Sequence, residues 1–369
     1  MSSIYVHLPW CEQKCPYCDF NSHVRDERAE DQYVAALLND LACDAQWIDS
    51  PIDTVFFGGG TPSLFSADSI DRILRGLDQT IGFAQDPEIT LEANPGSAEQ
   101  AKFQGFQAAG VNRLSIGVQS FDNTQLKTLG RIHDASHATG AVKAAQRAGF
   151  KRINIDLMHG LPDQTVSAAL SDLDQALDLG VEHLSWYQLT LEPNTAFYKH
   201  PPPLPVEDVL ADIQDAGLAR IAQAGLAQYE ISAFSRPGAE CRHNLNYWRF
   251  GDYLGIGAGA HGKLTRDTQV MRSQKTRMPE SYLKHYAHGA PHQFKAVDTD
   301  QLAFEFMLNQ LRLKSGCDES HFEQATGLPL DSIQQNLKSC RQLGLIEPGR
   351  IQTTDLGWRY LNDVIERFL

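Results

Sequence analysis

Three cysteines near the start of the sequence have a spacing that suits metal chemistry. Cys11, Cys15 and Cys18 fall within eight residues, directly after a short apolar run. Thiolates are soft ligands that bind iron–sulfur clusters or zinc. A structural zinc site takes four ligands, whereas three cysteines on a four-iron cubane leave one iron open to another ligand. The spacing therefore predicts a [4Fe-4S] cluster; the alternatives are a zinc site completed by a distant histidine, or three free thiols.

Short apolar, β-branched runs recur through the first half of the chain, with helical patterns between them. The predicted strands are Ile4–Leu8, Thr54–Phe57, Glu88–Glu92, Arg113–Gly117, Arg152–Leu157 and Glu182–Gln188, and the predicted helices are 66–79, 97–109, 135–148, 165–179 and 205–225. Strand–helix alternation predicts parallel strands joined by right-handed crossovers. The pattern thus predicts an α/β fold, a partial (β/α)6-type barrel.

Unusual residues gather where the predicted strands end, which is where such barrels carry their chemistry. The three cysteines follow the first strand, and a glycine run, Gly58–Pro62, follows the second. Glu92, Gln119 and Asp156 come at or after the ends of later strands. Glycines let the backbone approach a ligand closely, although a tight strand–helix turn explains the run equally well. We therefore expect these residues to share one face of the barrel.

The rest of the chain changes character twice. We read residues 1–235 as the barrel. Residues 236–299 then combine an aromatic loop, a glycine-rich strand and a polar, irregular linker from 263 onward. From 300 to 369, the predicted order is helices 302–314, 318–325 and 331–344, a hairpin over 345–353 and a helix over 356–368. That order predicts a small winged-helix-like domain, for which a packing or partner role is favoured over DNA binding because the segment is acidic with few clustered basic residues.

Composition and charge exclude several classes of protein. The chain has 369 residues, of which 42% are hydrophobic and 21% charged, an ordinary globular composition. Its net charge of -14 opposes phosphate backbones, so no nucleic acid partner is expected. No apolar run reaches the roughly 18–20 residues of a membrane helix, and the N-terminus lacks the pattern of a secretory signal. These features predict a cytoplasmic protein.

The cysteine segment also carries a family resemblance. The stretch from Tyr5 to Phe20, YVHLPWCEQKCPYCDF, resembles the radical S-adenosylmethionine superfamily. It is most similar to the branch that holds oxygen-independent coproporphyrinogen III dehydrogenase and the HemW heme chaperones, and the resemblance covers nearly the whole chain. It implies that S-adenosylmethionine chelates the open iron. An electron from the reduced cluster would then cleave the cofactor to a 5′-deoxyadenosyl radical. The organic chemistry would be the cofactor's, and the protein would orient it and exclude water.

The resemblance also implies which residues bind S-adenosylmethionine. In the family, the glycine run grips the amino group of the methionine part, and a basic residue at the position of Arg131 holds the carboxylate. A bidentate guanidinium suits that role. Carboxylate and amide side chains at matching positions accept from the ribose hydroxyls or the ammonium group, and two tyrosines flank the cysteines. The implied cofactor residues are Tyr5, Tyr17, Gly59, Gly60, Thr61, Glu92, Gln119, Arg131 and Asp156.

Two further features separate the two halves of that branch. The dehydrogenase carries a fourth cysteine two residues after the third, and here that position is Phe20. The segment His243–Trp248, HNLNYW, matches a motif associated with heme binding in the chaperones. Imidazole is a natural heme ligand, and aromatic rings offer flat faces for a porphyrin. The implied heme residues are His243, Asn244, Tyr247 and Trp248, with Cys241 and His261 as alternative iron ligands.

These features favour a heme chaperone that binds the cluster, S-adenosylmethionine and heme and delivers heme to apo-proteins such as respiratory cytochromes. The alternatives are an oxygen-independent coproporphyrinogen III dehydrogenase, which decarboxylates propionate side chains by radical chemistry, and a radical enzyme acting on another substrate. The resemblance further implies a homodimer and peripheral membrane contact.

Overall fold

The computed structural model describes residues 2–24, 30–96, 100–287 and 293–369. The strands are β1 (Ser2–Leu8), β2 (Trp10–Cys11), β3 (His23–Val24), β4 (Ile52–Gly59), β5 (Phe83–Ala93), β6 (Arg113–Gln119), β7 (Arg152–His159), β8 (His183–Gln188), β9 (Ala227–Gln228), β10 (Ala233–Ser235), β11 (Tyr253–Ile256), β12 (His261–Arg266), β13 (Gln269–Gln274), β14 (Lys295–Ala296), β15 (Cys317–Asp318) and β16 (Arg350–Ile351).

The helices alternate with the strands in the first half of the chain and dominate its end. They are α1 (Glu30–Asp44), α2 (Ala67–Thr80), α3 (Phe103–Ala109), α4 (Asn123–Thr128), α5 (Ala135–Arg147), α6 (Val166–Asp178), α7 (Ala196–Lys199), α8 (Glu207–Gln223), α9 (Arg242–Trp248), α10 (Pro279–Tyr286), α11 (Thr299–Gln310), α12 (Glu319–Thr326), α13 (Gln334–Gln342), α14 (Asp355–Arg359) and α15 (Leu361–Glu366).

Seven parallel strands form the centre of one large sheet, in the order β11, β1, β4, β5, β6, β7, β8. The sheet continues past β11 through the antiparallel β12, β13 and β14, and past β8 through the antiparallel β10 and β9. The chain is thus an α/β protein, and the six strands from β1 to β8 are those that the sequence predicted. The carboxyl ends of these strands meet at one rim, which we call the mouth of the barrel.

Alternation along the strands divides apolar from polar side chains. In β1, Ile4, Val6 and Leu8 are fully buried in the hydrophobic core between sheet and helices. The intervening side chains face the inside of the barrel, because successive side chains of a strand point to opposite faces. Three outer helices begin at capping side chains that accept a backbone N–H, namely Ser66, Asp134 and Thr165.

The predicted helix over 97–109 is observed from 103 to 109; residues 97–99 lie outside the described residues. Two expectations for the middle of the chain are wrong. The HNLNYW segment is not a loop, because it forms α9. Residues from 263 onward are not an irregular linker, because β12 and β13 pair antiparallel and extend the main sheet, and α10 follows them; within this range, 288–292 lie outside the described residues.

A second hydrophobic core organises the C-terminal helices. Phe306, Phe322, Leu337, Ile351 and Val364 are buried together in it. Short strands β15 and β16 pair antiparallel beside the helices. The last predicted helix is divided in two at Tyr360. Among the described residues, no helix is both long enough and apolar enough to cross a lipid bilayer.

Candidate functional site

The cysteine loop leaves the mouth of the barrel after β1. Cys11 ends β2, and Cys15 and Cys18 follow in a turn in which the Cys18 N–H donates to the Cys15 carbonyl at 3.2 Å. All three are free thiols and partly exposed. Pro16 fixes the loop from two sides, because its carbonyl accepts from the Phe197 N–H at 2.9 Å and its ring packs so closely on Gly130 that a Cβ there would lie 2.8 Å away.

A chain of hydrogen bonds links two of these cysteines through side chains at the strand ends. The Thr61 hydroxyl donates to the Cys11 Sγ at 3.5 Å and accepts from the Asn94 amide at 3.0 Å. The Asn94 Oδ1 accepts from the Arg131 guanidinium at 2.7 Å, and Arg131 donates to the Cys15 Sγ at 3.6 Å. Donors aimed at sulfur favour thiolates, so this arrangement suits cysteines that bind a metal cluster.

The protonation of the cysteines bears on metal binding. Among the described residues, no group of three or more His, Cys, Asp or Glu side chains converges as it would around a single bound metal ion. Burial raises the pKa of Cys11 and of Cys18 above the ordinary thiol value. A cluster would therefore displace protons from these thiols as it binds.

Gly59 and Gly60 are explained by close packing. Gly59 has a φ of +115°, and a Cβ there would lie 2.5 Å from the His7 imidazole. A Cβ on Gly60 would lie 2.6 Å from the Trp10 carbonyl oxygen. The next residue, Thr61, is buried, and its N–H donates to the same carbonyl at 2.8 Å. The glycines thus let the β4 loop lie directly against the start of the cysteine loop.

Two carboxylates inside the barrel mouth have raised pKa values. Burial, together with the nearby Asp156, raises the pKa of Glu92 to about 8, although the Gly59 N–H donates to it. Burial also raises the pKa of Asp156, although Ser115 and Asn154 donate to it at 3.0 and 2.8 Å. Ionisation of these two acids is unfavourable here, so a cation or a hydrogen-bond donor bound beside them would stabilise their charged forms. Such a pair suits the ammonium, sulfonium and hydroxyl groups of S-adenosylmethionine.

The remaining predicted cofactor residues line the same mouth. Gln119 ends β6 with a φ of +69°, and its Oε1 accepts from the Tyr187 hydroxyl at 2.7 Å. Burial raises the pKa of Tyr17 above its ordinary value, and the guanidinium of Arg131 and the thiols of Cys15 and Cys18 lie near it. The Tyr5 hydroxyl lies 3.1 Å from the His7 Nδ1, and burial followed by Glu92 raises its pKa. The structure thus gathers Tyr5, Tyr17, Gly59, Gly60, Thr61, Glu92, Gln119, Arg131 and Asp156 around the cysteine loop.

The predicted heme residue His243 is placed differently. It is completely buried, and its ring stacks on Phe56 inside the barrel. Its Nδ1 lies 2.8 Å from the Thr54 hydroxyl, whose proton is donated to Ser3, so Nδ1 donates; its Nε2 accepts from the Tyr247 hydroxyl at 2.8 Å. Burial lowers the pKa of His243 to about 3. In this conformation neither ring nitrogen is open to a heme iron.

The neighbours of His243 close the lower part of the barrel. The His243 N–H and the Cys241 thiol both donate to Glu88, at 3.0 and 3.6 Å. Cys241 is buried, so it is not accessible to iron in this conformation either. From β6, the Arg113 guanidinium donates to the Ala239 carbonyl at 3.2 Å. The segment around α9 therefore fills the barrel beneath the carboxylate pair.

The other predicted heme residues lie at the edge of the α9 segment that fills the barrel. Tyr247 meets the rings of both His243 and Tyr253 edge-on, with centroids 4.7 and 4.5 Å apart. Trp248 is half-buried, and the guanidinium of Arg312 lies over its ring at 5.3 Å. Asn244 is half-buried in the first turn of α9. The rings of Tyr247 and Trp248 pack against protein in this conformation. Porphyrin binding there therefore stays a prediction, and it requires α9 to move out of the barrel.

Sequence reasoning missed two residues of the site. Asn94 joins Thr61 to Arg131, and Tyr187 holds Gln119. Asn94 lies two residues after Glu92, just past the end of β5, so strand periodicity could have placed it on the same side of the sheet. Tyr187 lies on β8 with the period of the inward-facing Ser185, which gives the same signal.

Comparison with known proteins identifies the family of this chain. Residues 5–175 match the model of the Radical SAM superfamily, and residues 297–360 match the HemN C-terminal domain. Proteins named heme chaperone HemW are 46% identical in Haemophilus influenzae and 47% identical in Escherichia coli, over 100% of this chain and 97% and 98% of theirs. The chain belongs to the HemW family of the radical S-adenosylmethionine superfamily.

Solved structures and more distant relatives extend the picture of this HemW-family chain. The coproporphyrinogen III oxidase HemN of Escherichia coli superposes with a TM-score of 0.84 at 25% identity, over 100% of this chain and 89% of that one. A mitochondrial radical S-adenosyl methionine domain-containing protein 1 from Bos taurus is 37% identical over 94% of this chain and 81% of its own length. The fold predicted from sequence, a radical S-adenosylmethionine core with a C-terminal domain, is confirmed.

Proposed function

We propose that this protein is a heme chaperone, which binds a [4Fe-4S] cluster, S-adenosylmethionine and heme and passes the heme to apo-proteins such as respiratory cytochromes. The observation that carries the proposal is the similarity, end to end, to proteins named heme chaperone HemW. Phe20 supports it, because the position where the related dehydrogenase carries a fourth cysteine holds an exposed phenylalanine here.

The proposal assigns the mouth of the barrel to the cluster and its cofactor. The thiolates of Cys11, Cys15 and Cys18 would hold the cluster, and the cofactor residues gathered around them would hold S-adenosylmethionine. When bound, the cluster supplies the electron that cleaves the cofactor. Arg131 and Thr61 keep the cysteine sulfurs in donor contact, and Glu92 and Asp156 provide half-buried acceptors in the mouth of the barrel.

The chaperone proposal does not depend on His243. Both ring nitrogens of His243 are bonded within the barrel, so heme ligation there would need α9 to leave the barrel. That opening would also strip Glu88 of the His243 N–H. Ligation by His243, with Asn244, Tyr247 and Trp248 around the porphyrin, is one arrangement that the heme experiments below can distinguish.

The second candidate function is coproporphyrinogen III dehydrogenase activity. The superposition on HemN of Escherichia coli over the whole chain favours it. The absence of a cysteine at position 20 opposes it. Turnover decides between the two: anaerobic incubation of reconstituted protein with coproporphyrinogen III, S-adenosylmethionine and a low-potential reductant yields no decarboxylated porphyrinogen if the chaperone proposal holds. Release of 5′-deoxyadenosine without porphyrinogen turnover would instead indicate a radical enzyme with another substrate.

Hemin titration tests the chaperone proposal itself. We expect anaerobically reconstituted protein to bind close to one equivalent of hemin per chain, with a Soret band that saturates. A non-saturating rise proportional to added hemin, equal to that of an unrelated acidic protein, would contradict the proposal.

Assembly and location complete the proposal. We propose a homodimer that contacts membranes peripherally from the cytoplasm, as the family resemblance implies. Light scattering of the reconstituted protein measures the first property. Flotation with anionic vesicles, at low and at physiological salt, measures the second.

A further inference from the structure

We propose that heme docks beside the mouth of the barrel, on a surface made by Phe20, Val24, His261, Arg277 and Met278, with His261 as the iron ligand. This surface is called the mouth patch below. The inference rests on the proposed heme chaperone function and adds the place where the heme binds.

The mouth patch presents three large apolar side chains to solvent. Phe20, Val24 and Met278 are 59%, 69% and 50% exposed, and they rank among the large apolar side chains that the described structure leaves open to solvent. Burying such side chains under a flat apolar ligand contributes about 25 cal/mol for each Å² removed from water. A cluster of this kind on a soluble protein marks a binding surface.

Two separate parts of the chain form one surface here. Asn21 lies in the loop that follows the cysteines, and its side-chain amide donates to the carbonyls of Ala258 and Arg277, each at 2.9 Å. Gly259 leaves room for it, since a Cβ there would lie 2.3 Å from the Asn21 amide nitrogen. The segment from Phe20 to Val24 is thereby fixed against Arg277 and Met278.

His261 is the imidazole of this region that iron can reach. It begins β12, is exposed, and its ring makes no hydrogen bond within the described residues. The Nε2 of His23 lies 3.2 Å from the Asn21 Oδ1, and the Nε2 of His7 lies 2.9 Å from the Asn21 carbonyl. Asn21 thus holds the Nε2 of both rings, whereas neither ring nitrogen of His261 has a partner within the described residues.

The charges of the mouth patch suit a ligand with two carboxylates. Arg277 is exposed and lies near both His23 and His261, since its charge lowers the pKa of each. Lys14 is exposed, donates to the Phe20 carbonyl at 3.4 Å and acts on His23 in the same way. Glu280 is the acidic group that opposes them at His23. In a chain of net charge -14, this local basic character favours the propionates of heme.

The pKa of His261 is compatible with iron binding. Partial burial, then Arg272 and Arg277, lower its pKa below the ordinary histidine value. The ring is therefore neutral at physiological pH, which is the form that ligates iron. The mouth patch also begins two residues after Cys18, so heme would lie on the same loop as the cluster.

The experiment titrates hemin into anaerobically reconstituted full-length protein and three variants: His261→Ala, His243→Ala, and His137→Ala as a matched exposed histidine on α5. We expect His261→Ala to weaken binding at least about tenfold and to shift the Soret band, with both restored by millimolar imidazole. His137→Ala should match the wild type. Unchanged binding and spectrum in His261→Ala, while the wild type saturates, would overturn the mouth patch and leave the chaperone proposal standing.

Failure of the proposed function looks different. Absence of saturable binding in the wild type would remove both proposals together. Loss of the Soret band in His243→Ala, with the variant still folded by circular dichroism at the titration temperature and with His261→Ala unaffected, would place the ligand in α9 and overturn this inference alone.

The propionate contact has its own test. Arg277→Gln should weaken hemin binding by up to about fivefold, the range of an exposed ion pair, and the matched exposed variant Arg147→Gln should not. Iron protoporphyrin dimethyl ester, which lacks the carboxylates, should bind Arg277→Gln and the wild type equally. Equal hemin affinity in Arg277→Gln and the wild type would exclude Arg277 from the site.

Discussion

Replacing Glu92 by Gln should make the protein more stable without cofactor and less able to bind S-adenosylmethionine. Glu92 has its pKa raised to about 8 by burial and by Asp156, against an ordinary value of 4.5. Between those two pH values the folded protein retains a proton that the unfolded chain releases. Burial of Glu92 therefore costs no stability below about pH 4.5, and it lowers the free energy of unfolding progressively as the pH rises toward 8.

The size of the effect follows from the same numbers. One pKa unit corresponds to about 1.4 kcal/mol. At pH 7, the buried Glu92 therefore lowers the free energy of unfolding by at most about 3 kcal/mol. Because the side chain is partly accessible through the mouth, we expect water to reduce this to about 2 kcal/mol. The variant keeps the shape of the side chain and cannot ionise. Its advantage over the wild type should be small at pH 5 and reach its largest value near pH 8.

Urea unfolding of the cluster-free protein between pH 5 and pH 8 measures this advantage. Asp212→Asn, an exposed carboxylate change on α8, is the control and should follow the wild type. A Glu92→Gln protein that is no more stable than the wild type at pH 8, or whose advantage does not grow with pH, would refute the reasoning about the carboxylate pair.

The same variant tests the cofactor role. If Glu92 accepts from S-adenosylmethionine, equilibrium dialysis of the reconstituted protein should show affinity reduced by about tenfold, a loss typical of one charge-assisted hydrogen bond. Gain of stability with unchanged cofactor affinity would show that Glu92 is buried without binding the cofactor.

Four further variants probe other parts of the site and fold. Cys18→Ser should abolish the visible absorbance of the reconstituted cluster, whereas Cys43→Ser should not; an unchanged cluster yield in Cys18→Ser would exclude Cys18 as a ligand. Asn94→Leu breaks the link to Thr61 and Arg131 and should speed cluster loss to a chelator by roughly tenfold, and a rate equal to the wild type would show that the link is dispensable. His243→Ala leaves the Tyr247 hydroxyl without its acceptor and opens a cavity in the barrel, and should cost about 2–3 kcal/mol in urea unfolding, so a loss under 0.5 kcal/mol, roughly the scale of a surface change, would contradict the packing of α9 inside the barrel. Lys275→Met leaves two buried aspartates without their cation and should cost about 3–5 kcal/mol, while a stability equal to the wild type would mean that the aspartates are already protonated.

The strand pattern in the sequence predicted most of the fold, because strands and amphipathic helices leave a local signal in residue type and spacing. All six predicted strands are observed, with β8 beginning one residue later than predicted, because buried strands alternate with amphipathic helices over the whole first half of the chain. The pattern failed at α9, where HNLNYW carries no helical period. Its helix forms because His243, Cys241 and their neighbours bond to Glu88 and Thr54 from distant strands. Propensity cannot register such contacts.

The site was predictable to a similar extent. Residue type and position at strand ends were enough to predict that the cysteines, Glu92, Gln119 and Asp156 lie at the same rim of the sheet. The solvent accessibility of the histidines was not predictable, because it depends on which distant segments of the chain pack around each side chain. His243 and His261 look alike in sequence, each near glycines or aromatics. The structure buries the first completely and exposes the second.

The central claim is directed delivery of heme, and a transfer assay tests it most directly. The reconstituted protein is loaded with one equivalent of hemin and mixed with increasing concentrations of an apo-cytochrome, and the Soret band of the acceptor is followed in time. The account predicts that the transfer rate rises with acceptor concentration and exceeds the rate at which hemin leaves the protein for a passive scavenger. A rate that equals passive release at every acceptor concentration would contradict it.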